Sequence, residues 1–527
     1  MIQLSLYNKL WIRVDGDITA LNLIKESFSY YVENYFYMDS YKSGNWDGKI
    51  KIFDFKNRLL PYGLLFDLIK LLKKNNYEIS ATEEVKNLFG LDQYENLVLN
   101  YDLNIQPRYY QDDIIKECIK HKCGIFVSPT ASGKTPIIAY INKILLENEL
   151  INKSLIIVPT TSLVLQFYDD LIEYGIDSNL VGKFYADEKD WEKPILISTW
   201  QSLSYDNEKI RQNEVADISK KLKKKSISSD KKAELKERYE KITSQEYIEN
   251  VRELTKYRKD LMSSVDCVIV DECQTVKSQS LSELMKDINN AVYRFGCTGT
   301  LPNSKLDVIN IKSYLGPVLK HYTVEELTNA GYLNKCTINV YNLYYSKRID
   351  GTLNEVKDYV FHSEFRLNLM KNIISSIDDN ILILVGRIEK EGKVLENYLK
   401  EHFPDKKVKF LYGNIKGDIR EKWRQKCINE RDVIIIAMYP LFQQGINIPN
   451  LSTVIFGSSY RAKIRTLQSI GRSLRKAEGK GESQIIDIVD YSNKYLPKHA
   501  KERLDYYKSE GFEINQLTYK ESKFNNE

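Results

Sequence analysis

A chain of 527 residues is too long for one hydrophobic core, so two to four domains are expected. With 43% hydrophobic and 28% charged residues, 12 prolines and 24 glycines, it has the composition of a folded, soluble protein of helices and strands, with disorder confined to ends and insertions. The 77 basic and 72 acidic residues leave a net charge of only +5, so any nucleic-acid site must be a local patch rather than a property of the whole surface.

The N-terminus, Met1 to Tyr7, alternates apolar and polar residues like a first strand and unlike a signal peptide. A strand near Leu4 to Val14, a helix from about Leu21 to Tyr31, a strand-turn-strand around Trp46 to Asp54 and a helix from Leu64 to Asn75 are expected. These make a small mixed domain over residues 1–100. From Pro107 the pattern changes to short apolar runs of parallel-sheet type alternating with helical stretches: Gly124 to Val127, Ser154 to Val158, Ile195 to Ser198, Cys267 to Val270 and Arg294 to Thr298. That alternation marks an α/β domain over 101–330. Residues 206–262 interrupt it with a charged, helix-forming stretch, read as an inserted helical hairpin turning near Ser226 to Asp230.

The alternation restarts at Ile381 to Val385, Lys407 to Leu411, Val433 to Ala437, Thr453 to Gly457 and Glu482 to Asp487, a second α/β domain over 331–497. Residues 498–527 are left as a C-terminal tail. No apolar run approaches the roughly 20 residues that span a membrane. The seven cysteines are scattered without zinc-ribbon or redox spacing, so a reducing cytoplasm and no structural metal are expected.

Ser128 to Thr135 follows an apolar strand and precedes a helix, the setting of a phosphate-binding loop. Inward-pointing amides and the helix N-terminus attract phosphates there, with Thr130, Ser132 and Gly133 in the loop. Lys134 is placed to reach the β- and γ-phosphates and Thr135 to hold magnesium. Ser128 departs from the usual first glycine. Asp271 and Glu272, directly after the strand Cys267 to Val270, supply a magnesium ligand and a general base for the attacking water.

These two strings resemble the Walker A and B elements of superfamily 2 helicases, and the likeness runs on along the chain in that family's order. Arg108-Tyr109-Tyr110-Gln111 resembles the adenine-reading element, with Arg108 and Gln111 as nucleotide ligands. Thr160 opens a string similar to motif Ia, and Ser198-Thr199-Trp200-Gln201 resembles a later strand-contacting motif, which implies DNA contacts at Thr160, Thr199, Trp200 and Gln201. Thr298-Gly299-Thr300 matches motif III. Arg387 lies in a string like motif IV, a backbone contact. Gly445 to Pro449 resembles motif V, with Gly445 and Asn447 at the nucleotide, and Gln468 to Arg475 resembles motif VI. Arg472 and Arg475, three apart, share one helix face and suit the arginine-finger role. Gln274 stands where many relatives carry histidine; it can bridge by hydrogen bonds but cannot titrate near neutrality.

Gly44-Asn45-Trp46-Asp47-Gly48-Lys49 and Arg58 to Leu64, together with the motor strings, resemble the UvsW-type phage recombination helicases. The resemblance implies two RecA-like doubly wound parallel-sheet domains in tandem behind a small α+β N-terminal DNA-binding domain. It further implies ATP and Mg2+ as cofactors and forked or recombination-intermediate DNA as substrate. A monomer working beside recombination or replication proteins, in the cytoplasm of a host if the source is a phage, is expected. Read from its residues alone, the hairpin has two accounts: Trp46 and Lys49 meet bases and phosphates, or the aromatics pack on the helix behind while the lysines are solvated. An RNA helicase and an ATP-dependent clamp without strand separation are the alternative functions.

Overall fold

The computed structural model describes residues 1–88, 99–185, 188–204, 207–222, 229–275, 278–302, 304–413, 415, 417–439, 451–458, 482–493 and 495–521. The chain divides into two compact units, Met1–Val127 with Thr135–Lys320, and His321–Glu527 with Ser128–Lys134.

The first unit begins with strands β1 (Ile2–Asn8), β2 (Trp11–Asp15), β3 (Ser29–Tyr31), β4 (Lys49–Lys51), β5 (Leu59–Pro61) and β6 (Ile79–Ala81). Four of them form a sheet in the order β5-β2-β1-β6, and β3 pairs antiparallel with β4. The single strand expected near Leu4 to Val14 is a hairpin. The Asn8 side chain accepts from the amides of Leu10 and Trp11, both at 2.9 Å, and so closes a turn that the apolar alternation hides. The first helix is Ile18–Ser27, capped by Asp17, and ends four residues before the expected Tyr31 because β3 claims the following residues for pairing. Nor do residues 46–54 pair with themselves: β4 finds its partner in β3, some twenty residues upstream.

Next comes an eight-stranded sheet of β7 (Cys123–Val127), β8 (Ser154–Val158), β9 (Val181–Tyr185), β10 (Glu188–Lys189), β11 (Ile195–Thr199), β12 (Cys267–Asp271), β13 (Tyr293–Thr298) and β14 (Val318–His321). Its order is β10-β9-β11-β8-β12-β13-β7-β14, with parallel pairing from β9 through to β7. Strands β7, β8, β11, β12 and β13 are buried at every position, as helices on both faces of a parallel sheet require.

The N-terminal domain is bonded to this one. Its core includes Cys123 and Ile309 from the α/β domain. A side chain at Gly63 would meet the Lys312 carbonyl at 2.0 Å, and Lys312 pairs with Asp67 at 2.5 Å. Arg294 of β13, 1% exposed, donates to the Lys9 carbonyl at 2.5 Å, and burial pulls its guanidinium down to about 10.

The insertion is three helices rather than a hairpin: Asn207–Leu222, Ser229–Thr243 and Gln245–Ser264. Ser244 caps the third, accepting from the Tyr247 amide, and that cap breaks what reads as one continuous helix former. Ile218, Ile242 and Val251 are buried, and Arg238 forks onto Glu214 at 2.8 and 3.1 Å.

The second unit holds β15 (Cys336–Tyr344), β16 (Ile381–Val385), β17 (Lys407–Leu411), β18 (Val433–Met438), β19 (Thr453–Phe456), β20 (Ser483–Tyr491) and β21 (Glu513–Lys520) in a parallel sheet, order β17-β18-β16-β19-β20-β15-β21. The stretch expected as a tail adds the helix Leu496–Ser509 and edge strand β21, paired to β15 from Thr337 to Tyr344. Two buried pairs tie this sheet to its helices: Arg503 forks onto Asp487 at 2.7 and 2.8 Å, and Arg366 reaches Asp490 at 3.2 Å and the Gly457 carbonyl at 2.6 Å. Among the described residues, no helix is long and apolar enough to cross a membrane.

Candidate nucleotide site

The chemistry-bearing strings sit at the carboxyl ends of central strands. Strand β13 lies between β12 and β7, with Cys297 opposite Asp271 and Thr298 opposite Val127, so three loops leave one edge of the sheet side by side. The loop after Val127 is Ser128 to Gly133, and the helix Lys134–Glu147 follows. Ala131 at φ 73° and Gly133 at φ 79° take left-handed backbone, the alternation that turns successive amides toward one point. Ser128, in the place of the usual glycine, is fully buried and donates to the Ser132 hydroxyl at 2.6 Å. Its side chain therefore braces the loop from inside. Lys134 Nζ lies 3.5 Å from the Ser128 carbonyl, folded back along the loop.

Asp271, 7% exposed, accepts a contact from the Cys297 thiol at 3.1 Å. Glu272 stands at φ 48°, a left-handed conformation that a non-glycine residue holds only when its neighbours over-determine it. Those neighbours are visible: Thr275 donates through both its amide and its hydroxyl to the Glu272 carbonyl at 2.8 Å, and Gln274 Nε2 donates to Glu272 Oε2 at 2.6 Å. Gln274 Oε1 is buried and has no hydrogen-bond partner among the described residues. Thr298 Oγ1 donates to the Thr300 carbonyl at 2.7 Å and accepts from its amide at 3.1 Å, closing the motif III turn on itself.

Residues 2–82 match the family described as DNA helicase UvsW, N-terminal; residues 104–303 match Type III restriction enzyme, res subunit; and residues 366–477 match Helicase conserved C-terminal domain. The ATP-dependent DNA helicase uvsW of Enterobacteria phage T4 is 25% identical across 95% of this chain and 96% of its own length. The chain is a UvsW-like superfamily 2 helicase. A helicase of Sulfolobus islandicus filamentous virus is 23% identical over 96% of the chain and 86% of its own length. An HsdR subunit fragment of a Vibrio vulnificus type I restriction enzyme shares the fold, with a TM-score of 0.55 at 16% identity over 89% of this chain and 78% of that one.

Within this UvsW-like helicase the other candidate residues have the following surroundings. Arg108 and Gln111 form a helix cap: Gln111, buried, accepts from the Arg108 amide at 2.8 Å, and Arg108 also donates to the Tyr110 hydroxyl at 3.1 Å. The Gln111 carbonyl is thus engaged by the backbone. Thr160 caps the helix Thr161–Glu173, and Thr199 bonds Ser202, both at carboxyl ends of strands of the same sheet; Trp200 packs half-buried on the core, while Gln201 is exposed.

Arg387, after β16, is held by two carboxylates, Asp358 and Glu391, the latter at 2.7 Å. Burial disfavours its charge, but these two acids outweigh it and push its pKa above the ordinary value. Trp46 Nε1 donates to the Lys49 carbonyl at 2.9 Å, while the Lys49 ammonium sits over the Tyr31 ring at 4.9 Å and 3.7 Å from Glu26. Gly445, Asn447, Arg472 and Arg475 lie outside the described residues. Sequence reading passed over Cys297, whose placement on Asp271 follows only from strand register.

Proposed function

We propose that this chain hydrolyses ATP to move along DNA and to unwind or branch-migrate forked and recombination-intermediate DNA. The observation that carries this reading is the joint match of an N-terminal UvsW domain and both motor halves to one relative along nearly the whole chain, a relative whose name specifies an ATP-dependent DNA helicase. The hydroxyl of Thr135 and the carboxylate of Asp271 are hard oxygen donors of the kind Mg2+ takes, and the metal would neutralise charge on the phosphates. Lys134 contributes a cation to the β- and γ-phosphates. Glu272 receives the proton of the attacking water as its oxygen bonds to the γ-phosphorus and ADP leaves. Gln274, bonded to Glu272, keeps that carboxylate turned the right way. Arg472 and Arg475 stabilise the charge that develops on the transferring phosphoryl group.

Thr160, Thr199 and Gln201 contact the strand, and the balanced overall charge of the chain suits a groove rather than a wholly basic surface. The test is ATP turnover with single-stranded, duplex, forked and four-way DNA, and with RNA, alongside strand separation on the forked substrate. Strongest stimulation by branched DNA with strand separation supports the reading. Stimulation by RNA alone points to an RNA helicase, and no stimulation by either to a clamp.

A further inference from the structure

One face of the N-terminal domain is used neither by the ATP chemistry nor by the motor strings. Along the connection between β3 and β4, Tyr31 is 55% exposed, Phe36 49%, Tyr37 68%, Met38 41% and Tyr41 37%. So many rings together in water mark a contact surface rather than ordinary scatter.

The rings are held rigidly. Tyr31 stacks on Tyr35 with centroids 4.7 Å apart and 26° between planes, Tyr41 meets Tyr35 edge-on at 4.7 Å, and Phe36 lies 4.4 Å from Tyr37. Gly48, at φ 78°, passes under the Tyr35 ring, where a Cβ would come within 2.4 Å of it. The Trp46 indole, bonded to the Lys49 carbonyl, fixes the returning strand. Strand β3 also packs against the helix Lys305–Leu315, so the face is fixed to the first RecA-like domain rather than tethered to it.

Charge decides what such a face can hold. Across residues 29–51, Lys42, Lys49 and Lys51 are balanced by Glu33, Asp39 and Asp47, and Lys51 is already paired with Asp47 at 2.9 Å. A surface that tracks phosphates carries an excess of cations, and this one does not. Flat π faces with little net charge suit bases, which stack on aromatic side chains whatever their identity. Bases can do so only where they are unpaired.

We propose that Tyr31, Phe36, Tyr37, Met38 and Tyr41 form a stacking platform for unpaired bases of single-stranded DNA. This rests on the reading of the chain as a DNA motor.

The test uses the full chain and a fluorescent oligothymidylate at low and high salt. Replacing both Phe36→Ala and Tyr37→Ala should weaken binding at least roughly five- to a hundredfold, the span of losing one stacked base. The fold-loss should be the same at both salt concentrations, because stacking releases no counterions. Both rings are exposed, so the thermal transition should stay that of the parent. Tyr37→Trp alone keeps a π face and should bind like the parent. Parental affinity in the double variant overturns the proposal, and so does an equal loss in Tyr37→Trp. A double variant that keeps oligonucleotide affinity but changes sedimentation identifies the face as a protein contact, which also overturns it. If the parent neither binds the oligonucleotide nor is stimulated by DNA, the failure lies with the proposed function, and the platform falls with it.

Discussion

The turn after β12 and the turn after β16 occupy equivalent places, each at the carboxyl end of a buried parallel strand, yet they are built differently. After β16 the acids are answered, since Glu391, 2% exposed, accepts from the amides of Gly386 and Arg387 and from the Arg387 side chain, and Asp358 takes both Arg387 and Lys390, while Arg387 Nη2 is buried with no hydrogen-bond partner among the described residues. After β12 the chain holds Glu272 at φ 48° and leaves Gln274 Oε1 buried with no hydrogen-bond partner among the described residues. Each turn thus carries one orphaned polar atom, and what sets the β12 turn apart is the left-handed backbone of Glu272, a cost that structures retain where chemistry needs it. The fold supplies the same platform twice; one copy carries a turn with strained backbone and the other an ion-pair cluster on relaxed backbone.

The sharpest way to break this comparison is at the phosphate loop that serves the strained turn. Lys134→Ala should lower ATP turnover at least about a hundredfold, as loss of a charge-stabilising group at a reacting phosphoryl does; steady-state phosphate release measures it. Removing the brace on Glu272 comes next. Gln274→Ala should lower kcat about tenfold with little change in ATP affinity, because the lost hydrogen bond of about 1–1.5 kcal/mol orients the base without binding ground-state nucleotide. An equal rise in KM with unchanged kcat would make Gln274 a nucleotide ligand instead.

At the ion-paired turn the expected effect is on folding. Arg387→Ala should cost about 1–3 kcal/mol in denaturant unfolding, since it removes the cation from the buried Glu391 carboxylate and leaves that group only its two backbone amide donors. A large loss of DNA affinity at unchanged stability would return Arg387 to the role of a strand contact. Smallest is the insertion: Ser244→Ala removes a helix cap worth about 1 kcal/mol and should shift only the local exchange protection of Gln245–Ser264, seen by hydrogen exchange.

Much of this was legible in the sequence where local chemistry alone decides. Five-residue runs such as Ser154–Val158 and Ile381–Val385 form strands with the expected bounds, because burial on both faces demands near-unbroken apolarity. Asp271 and Glu272 fall at a strand end for the same reason. What local pattern cannot carry is the partner. Nothing in Ser29–Tyr31 announces pairing with Lys49–Lys51, and nothing in residues 498–527 announces an edge strand on β15. The contact of Cys297 with Asp271 and the pairing of Arg387 with Asp358 likewise join residues far apart in the chain. The strained φ of Glu272 is a property of the fold with no signature in residue type.

The central claim, that Glu272 in its strained turn is the base of an ATP-hydrolysing motor, is tested most directly by Glu272→Gln, which keeps the shape and removes the proton acceptor. Binding of a fluorescent ATP analogue and single-turnover hydrolysis, both with forked DNA present, should be measured on the same preparation. Expected is analogue binding within about twofold of the parent with hydrolysis reduced at least about a hundredfold. Hydrolysis at the parental rate in Glu272→Gln would contradict the assignment.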